Sequence, residues 1–267
     1  MHPILFQIGN FPIRSYGVIL MIGVAVAAFI AAKRTHQFGL KPEHLWDSLL
    51  WMILPGILGA RGTYMATHWG EFAGRPDRIF SLQFNGLTSF GGMIAGFIGL
   101  LIYLRIKKIP FWPMMDTVGI PALIGHAIGR IACLLNGCCF GYPCSEGYCV
   151  HVEGQQGAFL PAQGFDTIMS LALAGLLFLV ERRKLKVGVN FSLCVIGYAV
   201  SRFIYEFWRA GPYDEATHRF LPDLLGNTPL TKAQWMSLVL VLVGIGMIIY
   251  RLRAAKSDTS EGGSADA

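Results

Sequence analysis

The sequence is dominated by apolar runs that recur along the chain and are long enough to cross a lipid bilayer. A helix needs about 20 apolar residues to span the roughly 30 Å hydrocarbon layer. Because unpaired backbone groups are too costly in lipid, such runs fold as helices. We therefore predict an all-α, polytopic membrane protein with seven transmembrane helices. The predicted spans are about 16–32, 45–66, 88–104, 113–134, 166–180, 187–208 and 233–250.

The composition agrees with a membrane protein. Hydrophobic residues make up 54% of the 267 residues and charged residues only 14%, which is too apolar and too charge-poor for a soluble domain of this size. We expect a single seven-helix transmembrane domain over residues 1–253. The remaining segment, 254–267, is small and polar, and we predict that it is a disordered cytoplasmic tail.

Basic residues are distributed unequally between the segments that separate the spans. With seven crossings these segments fall alternately on the two sides, and one side carries 13 Lys and Arg residues against six on the other. Cytoplasmic loops hold the excess of Lys and Arg, so we predict an N-terminus outside and a cytoplasmic C-terminus. The net charge of +6 therefore reflects topology and does not indicate nucleic-acid binding.

Three arginines, Arg61, Arg130 and Arg202, lie inside predicted spans. An arginine at the membrane centre costs about 2.5–3.5 kcal/mol on insertion scales, so each needs an explanation. One is that each guanidinium snorkels to the interface along its own stem. However, each arginine lies about four to six residues before the outer end of its span, which puts all three at similar depth.

The matched depth favours an anion-binding site over snorkelling. Glu206 lies four residues after Arg202 and can face it on one side of a helix, but a positive excess remains. Guanidinium groups match phosphate in a bidentate way, so we expect an anionic phosphate group from the outer leaflet. Other polar residues approach the same level and outline a site that opens to the outer side: Tyr16, Ser89, Gln163, Asp166 and Tyr198.

Several segments match one known family. The segment GRIACLLNGCCFG, residues 129–141, resembles the signature of the bacterial prolipoprotein diacylglyceryl transferases, in which a Gly-Arg pair is followed by Asn-Gly and a further Gly. Other segments resemble further family motifs in the family's order, so the resemblance covers nearly the whole chain. They are RSYGVIL (14–20), LGARGTY (58–64), LTSFGGMIAG (87–96), LPAQGFD (160–166) and GYAVSRFIYEFWR (197–209).

The resemblance implies a transferase that carries out the first step of bacterial lipoprotein maturation. It would move the diacylglyceryl group of phosphatidylglycerol onto the thiol of a signal-peptide cysteine in a prolipoprotein. The implied location is the inner membrane, with an active site that faces the outer side. The expected partners are phosphatidylglycerol, the prolipoprotein signal peptide and membrane lipid, without nucleic acid, and the oligomeric state is not predicted.

The resemblance also implies roles for individual residues. Arg130 and Arg202 would grip the phosphate and stabilise the charge that builds on it as it leaves. Tyr16 would belong to the catalytic set, and Arg61 would have a binding or a structural role. The remaining substrate-binding residues would be Asn136, Gly141, Gln163, Tyr198, Glu206 and Arg209.

Three positions depart from the family pattern. The family's histidine before Gly-Gly is Phe90 here, its first signature Asn is Cys133, and its signature Glu is Cys138. Phenylalanine cannot accept a proton, so a base that deprotonates the substrate thiol would have to lie elsewhere. His126 is the candidate, because it lies four residues before Arg130 and can share its helix face. The alternative is a histidine that only bonds between helices.

Four cysteines, Cys138, Cys139, Cys144 and Cys149, follow the outer end of the fourth span. On an oxidising side they predict a disulfide that holds the outer loop, although the pairing cannot be read from sequence. Zinc ligation is an alternative that lacks the usual C-x2-C pair, and a redox-active Cys138–Cys139 pair is another. We otherwise expect no metal and no cofactor.

Two functions of other classes remain possible on the sequence. In a membrane thiol oxidoreductase, Cys138 and Cys139 would do the chemistry and the arginines would bind a quinone or lipid. A non-enzymatic transporter of anions or phospholipids would place polar groups at the midplane and on both sides, whereas here they gather in the outer half.

Overall fold

The fold is mainly helical. The structure is a computed structural model that describes residues 4–8, 11–72, 89–145, 147–152, 157–183, 185–214, 219–226 and 228–261. Within these residues each predicted span falls on a helix of at least 17 residues. These helices are α1 (Ser15–Arg34), α2 (Pro42–Thr67), α3 (Ser89–Ile106), α4 (Phe111–Asn136), α5 (Ala162–Glu181), α6 (Val189–Tyr205) and α7 (Lys232–Glu261).

The helices confirm a helical protein with membrane-spanning capacity. Among the described residues four helical segments are long and apolar enough to cross a membrane: Ser15–Phe38, Phe111–Asn136, Ala162–Glu181 and Lys232–Arg253. Residues Gly91–Ile106 of α3 and helix α6 form shorter apolar helices. The number of seven crossings and the orientation of the termini stay predictions.

The helices are accompanied by short strands, which were not predicted from the sequence. The first two, β1 (Ile4–Ile8) and β2 (Phe11–Arg14), pair antiparallel immediately before α1. After α4 come β3 (Pro143–Cys144), β4 (Val150–His151) and β5 (Ala158–Phe159), in the order β3-β5-β4. A last pair, β6 (Tyr213–Asp214) and β7 (Arg219–Phe220), follows α6. Most of these strands have two residues, too few to produce a periodic sequence pattern.

The chain divides into two compact units. Residues 32–114 form one unit, and residues 1–31 with 115–267 form the other. In the smaller unit α2 and α3 approach each other closely through small residues. A Cβ added at Gly92 would lie 3.1 Å from the Gly56 carbonyl oxygen and from the Ala60 Cβ. Small residues permit this backbone approach where the hydrophobic effect does not drive helices together.

In the larger unit a similar contact joins α1 to α4. A Cβ added at Gly23 would lie 3.1 Å from the Gly125 carbonyl oxygen, and one at Gly125 would lie 3.1 Å from the Ala27 Cβ. This contact lies seven residues after Tyr16 on α1 and five residues before Arg130 on α4. It therefore fixes the helix ends that carry two of the candidate site residues.

The apolar core of this unit lies between α4, α5 and α6. It is built around Ile120, Leu123, Ala174, Leu177 and Cys194. At one end Asp116 of α4 accepts hydrogen bonds from the backbone N–H groups of Gly188 and of Phe191, the latter at 2.7 Å. These groups open α6 and would otherwise lack partners. The buried Asp116 therefore orients α6 against α4, about 20 Å along the helix from Arg130.

At the other end of α4 the chain is fastened to the end of α6. The Tyr142 N–H donates to the Trp208 carbonyl at 3.2 Å, and the Ala210 N–H donates to the Phe140 carbonyl at 3.1 Å. Gly141 pairs with Arg209 between them. A Cβ at Gly141 would meet the Trp208 carbonyl oxygen and lie 2.9 Å from the Leu160 Cβ, so this crossing requires glycine.

The predicted domain boundary is not tested by the fold. Helix α7 extends to Glu261, and residues 262–267 lie outside the described part of the chain. The single domain at 1–253 and the disordered tail at 254–267 therefore stay predictions.

Candidate active site

Three side chains from α4 and α5 form the first part of the site. Arg130 Nε lies 2.6 Å from the Asp166 Oδ2 atom, and His126 Nε2 lies 3.4 Å from the same oxygen. Arg130 Nε–H also donates to His126 Nε2 at 3.4 Å. His126 and Arg130 are four residues apart and therefore share one face of α4. Thus Asp166 joins both residues to α5.

The hydrogen bond that His126 makes in this arrangement depends on whether its Nε2 atom carries a proton. With a lone pair on Nε2 the imidazole accepts from Arg130, and with a proton there it can donate to Asp166. Tyr198 of α6 completes the surroundings, since its ring meets the imidazole edge-on with centroids 5.2 Å apart. A histidine placed beside an orienting carboxylate is a geometry suited to general base catalysis.

A second charged group lies at the end of α6. Arg202 Nη1 is 2.8 Å from Glu206 Oε2, and Arg209 Nη1 donates to Glu206 Oε1 at 3.4 Å. The shorter contact is an ion pair, and Arg202 Nη1 is a buried donor without a hydrogen-bond partner among the described residues. The Arg202 guanidinium has five N–H donors and therefore keeps donors for a further acceptor beside this ion pair.

Tyr205 lies between the two charged groups. The guanidinium carbon of Arg130 is 5.0 Å from its ring centroid and that of Arg202 is 4.8 Å from it. Two arginines from different helices therefore converge on one aromatic ring, at distances typical of cation–π contacts. Three arginines and two carboxylates meet in this cluster, which leaves an excess of one positive charge.

More of the arginines have carboxylate partners than is predicted from the sequence. From the sequence, Arg202 is expected to pair with Glu206, and Arg130 has no predicted partner. The structure adds Asp166, whose side chain is 2% exposed. A charge as fully buried as that of Asp166 requires a partner. Because Asp166 pairs with Arg130, the net positive charge of the cluster is smaller than a count of its arginines alone indicates.

The loop after α4 is held to the same cluster by two side chains. The Tyr205 hydroxyl donates to the Cys139 carbonyl at 3.1 Å. The Gln163 amide nitrogen donates to the Cys138 carbonyl. Both donors are buried completely. Gln163 therefore acts on the backbone of this loop, and its Oε1 atom is a buried acceptor without a hydrogen-bond partner among the described residues.

The other predicted site residues of the larger unit lie around this cluster. Tyr16, which is 38% exposed, interacts electrostatically with Arg130 and with the nearby thiols. The Asn136 side chain hydrogen-bonds to the Cys138 thiol. Gly141 contributes through its backbone pairing with Arg209.

Arg61 belongs to the smaller unit. Its guanidinium carbon lies 5.3 Å from the centroid of the Phe72 ring. Its convergence with Arg130 and Arg202 stays a prediction. Phe90, at the position of the family histidine, lies in the first turn of α3.

The cysteines divide into a disulfide and a group of thiols. Cys144 is bonded to Cys149, so the disulfide expected in this region joins these two residues. Cys138 and Cys139 are thiols and lie beside Cys133, with all three Sγ atoms within 4.8 Å of one another. Hydrogen bonds from the Cys133 and Cys138 thiols lower the pKa of the Cys139 thiol, and the charges of Arg130 and Arg209 lower it further.

Two residues of the cluster, Tyr205 and Asp166, were not assigned a site role from the sequence. Tyr205 lies three residues after Arg202, a spacing that places neighbours on one helix face, and this signal could have identified it. Asp166 was noted at the start of a span, but its pairing with Arg130 requires α4 and α5 to be packed together. No pattern within either helix contains that information.

The cluster has the parts needed to bind a phosphate and to deprotonate a nucleophile. The guanidinium groups supply fixed donors for an anion, and they would stabilise charge that develops in a transition state. The His126–Asp166 pair supplies a proton acceptor.

Comparisons with known proteins match one family over nearly the whole chain. A family model described as prolipoprotein diacylglyceryl transferase matches residues 3–250. Similar relatives are the proteins named phosphatidylglycerol–prolipoprotein diacylglyceryl transferase of Bacillus licheniformis, Clostridium tetani and Symbiobacterium thermophilum. The first is 27% identical and the alignment covers 94% of this chain and 93% of the relative. The second is 30% identical, with 92% and 96% covered, and the third is 29% identical, with 97% of each covered.

Proposed function

The chain belongs to the prolipoprotein diacylglyceryl transferase family, and from this premise we propose that it transfers the diacylglyceryl group of phosphatidylglycerol to the thiol of a prolipoprotein signal-peptide cysteine. The acceptor and the lipid are those that the names of its relatives print. The single observation that supports this chemistry best is the convergence of Arg130 and Arg202 on the Tyr205 ring.

Arg130 and Arg202 bind the phosphate of the lipid in this proposal. A guanidinium has five N–H donors, so the ion pair of Arg130 with Asp166 leaves donors for an anion. Arg202 Nη1 is buried without a hydrogen bond among the described residues, and a phosphate oxygen would satisfy it. The excess positive charge of the cluster offsets the phosphate charge.

The reaction forms one bond and breaks one bond at the glyceryl carbon. The thiolate of the acceptor attacks this carbon, a C–S bond forms, and the C–O bond to phosphate breaks. Glycerol phosphate leaves with the electron pair. Because its negative charge increases as the bond breaks, fixed arginines stabilise the transition state more than the bound lipid.

His126 takes the proton of the acceptor thiol in this proposal. Its Nε2 atom lies 3.4 Å from the Asp166 carboxylate, which would stabilise the imidazolium after proton transfer. This assignment supplies the base that Phe90 cannot provide. Tyr16, Asn136, Gly141, Gln163, Tyr198, Glu206, Arg209 and Arg61 form the rest of the proposed site.

We place this enzyme in the bacterial inner membrane with the site toward the outer side. The distribution of Lys and Arg supports this orientation. The thiol oxidoreductase and the transporter are not favoured, because the relatives are named as transferases.

The test is a transfer assay with purified protein. The protein receives labelled phosphatidylglycerol and a signal-type peptide with one cysteine, and the product is identified by mass spectrometry. We expect a thioether-linked diacylglyceryl peptide. A peptide with serine in place of cysteine is the control for the acceptor, and phosphatidylethanolamine is the control for the headgroup. Unmodified peptide under conditions in which a relative is active would refute the proposal.

Arg130→Ala tests the phosphate-binding role in the same assay. We expect transfer to fall at least a hundredfold, because the phosphate loses charge-assisted donors and Asp166 loses its partner. Arg105→Ala is the matched control, since Arg105 lies in the last turn of α3. Wild-type transfer by Arg130→Ala would exclude this role.

A further inference from the structure

The structure brings together three thiols that the proposed reaction does not use. Cys133 lies in the last turn of α4, and Cys138 and Cys139 follow its end. Their Sγ atoms all lie within 4.8 Å of one another, and each side chain is partly exposed. A disulfide would need only two of these residues. The convergence of a third thiol therefore calls for a different explanation.

The backbone at this point is bent so that adjacent cysteines contribute to one cluster. Gly137 has φ +70°, and Cys139 has φ +64°, a left-handed conformation that residues other than glycine rarely adopt. Such a conformation costs about 1 kcal/mol or more and is found where the surroundings impose it. Here the surroundings are the two buried donors, Gln163 and Tyr205, that bind the carbonyls of Cys138 and Cys139.

Positive charge lies next to the sulfur atoms. The charges of Arg130 and Arg209 act on Cys139, and that of Arg130 also acts on Cys133. Arginines beside a thiol cluster stabilise an assembly with excess negative charge. Three thiolates around a divalent cation form such an assembly, with one net negative charge.

We propose that Cys133, Cys138 and Cys139 bind Zn²⁺, with a fourth coordination position left open. Zn–S bonds of about 2.3 Å in tetrahedral geometry place sulfur atoms about 3.8 Å apart. The observed separations, all within 4.8 Å, reach this value by small side-chain rotations. The partial exposure of the three residues gives the ion a path of entry.

The Cys144–Cys149 disulfide shows that the cysteines of this region differ in oxidation state. Cys144 and Cys149 are joined, whereas Cys133, Cys138 and Cys139 are thiols. From the sequence, zinc ligation is an alternative only for the four cysteines after the span. The structure replaces Cys144 and Cys149 in that set by Cys133, which lies inside the helix.

The open position is suited to the thiolate of the acceptor, an extension that rests on the proposed function. A zinc site with three protein ligands keeps its fourth position for water or substrate, and a coordinated thiol is deprotonated. The acceptor would bind as a thiolate, its proton passing to His126 as in the proposed function, and would then attack the glyceryl carbon. The thioether product is a weaker ligand and leaves, and zinc keeps its oxidation state.

Metal binding is tested on the full chain in detergent without any activity measurement. The reduced protein is freed of metal by chelation and titrated with Zn²⁺, or with Cd²⁺, whose bonds to sulfur absorb in the ultraviolet. We expect one equivalent per chain. Cys133→Ser, Cys138→Ser and Cys139→Ser should each weaken binding at least tenfold. Cys194→Ser removes a buried thiol of the apolar core and should bind as the wild type does.

Alkylation of the unmodified chain provides a second measurement that does not depend on the folding of variants. We expect Zn²⁺ to protect Cys133, Cys138 and Cys139 from a maleimide, as read by mass spectrometry. The inference is overturned if the folded wild type binds no metal or if the three variants bind it unchanged. A disulfide between two of these cysteines that persists in the presence of Zn²⁺ would also overturn it.

The role of the fourth position is tested by removing the metal in the transfer assay. We expect transfer to fall at least tenfold on chelation and to return with Zn²⁺. Zinc binding with unaffected transfer would refute the role of the fourth position but not the zinc site itself. Zinc binding without transfer in any condition would instead refute the proposed function. Transfer by a chain that binds no zinc would refute the site alone.

Discussion

Asp166 contacts two of the proposed functional residues at once. Its carboxylate pairs with Arg130 at 2.6 Å and contacts His126 at 3.4 Å, so one residue positions both the proposed phosphate ligand and the proposed base. Removing one partner of a buried ion pair leaves an uncompensated charge and costs about 3–5 kcal/mol. The effect of its substitution should therefore appear in both activity and stability.

Asp166→Asn is expected to lower transfer at least tenfold, equivalent to about 1.4 kcal/mol of transition-state stabilisation. The amide keeps the shape of the side chain but cannot balance the charge of Arg130 or of a protonated His126. Transfer rates measured beside thermal unfolding would separate the two effects. The matched control is Asp47→Asn, because Asp47 accepts a hydrogen bond from Tyr103 within the smaller unit. Equal losses for the two variants would contradict the prediction.

Tyr205 allows its ring and its hydroxyl to be tested separately. Tyr205→Phe keeps the ring beside both guanidinium groups and removes the bond to the Cys139 carbonyl, whereas Tyr205→Leu removes both. A cation–π contact contributes about 0.5–2 kcal/mol, so we expect transfer to fall several-fold further in the leucine variant. The measurement is the transfer rate of both variants at equal amounts of folded protein. Indistinguishable rates would show that the ring does not position the arginines.

At the level of elements, glycines determine how closely helices approach. Pro55 in α2 has no N–H, so the Trp51 carbonyl one turn earlier lacks its usual helical partner. A Cβ at Gly99 of α3 would meet this carbonyl oxygen and lie 2.9 Å from Pro55 Cγ. The backbone of α3 therefore lies directly against the carbonyl that the proline leaves without its helical donor.

Gly99→Ala should destabilise the protein by about 1–3 kcal/mol, the usual cost of overpacking. Gly62→Ala is the control, because a Cβ at Gly62 of α2 has no neighbour within 4 Å. Thermal unfolding in detergent should give a lower midpoint for Gly99→Ala and a midpoint near that of the wild type for Gly62→Ala. Equal midpoints would mean that α2 and α3 separate easily.

At the scale of the whole molecule, the apolar helices indicate that the chain spans a membrane, whereas the placement of charged residues predicts which side each loop faces. Each of the seven predicted spans lies on a helix, and four helical segments of the described chain have the length and composition to cross a membrane. Orientation depends on Lys and Arg outside the spans. It is therefore a separate prediction that requires its own measurement.

Reporter fusions at successive positions test this orientation. We expect alkaline phosphatase fused after Gly211 to be active and phosphatase fused after Arg183 to be inactive, because the two positions flank α6 on opposite sides. A fluorescent protein after Ala267 should fluoresce in the cytoplasm. The reversed pattern would place the proposed site on the cytoplasmic side.

The positions and order of the helices could be predicted from local sequence. Length and apolarity are properties of a segment itself, since lipid requires every backbone group to be satisfied within that segment. The same holds for the pairing of Arg202 with Glu206, four residues along one helix. The family resemblance was likewise carried by short segments in a known order.

Contacts between helices could not be predicted in this way. The pairing of Arg130 with Asp166, the convergence of two arginines on Tyr205 and the meeting of Cys133 with Cys138 and Cys139 depend on how α4, α5 and α6 pack. Their energies arise between residues that are distant in the chain or separated by a turn. A charge or a thiol acquires its chemistry from neighbours that only the packed helices provide.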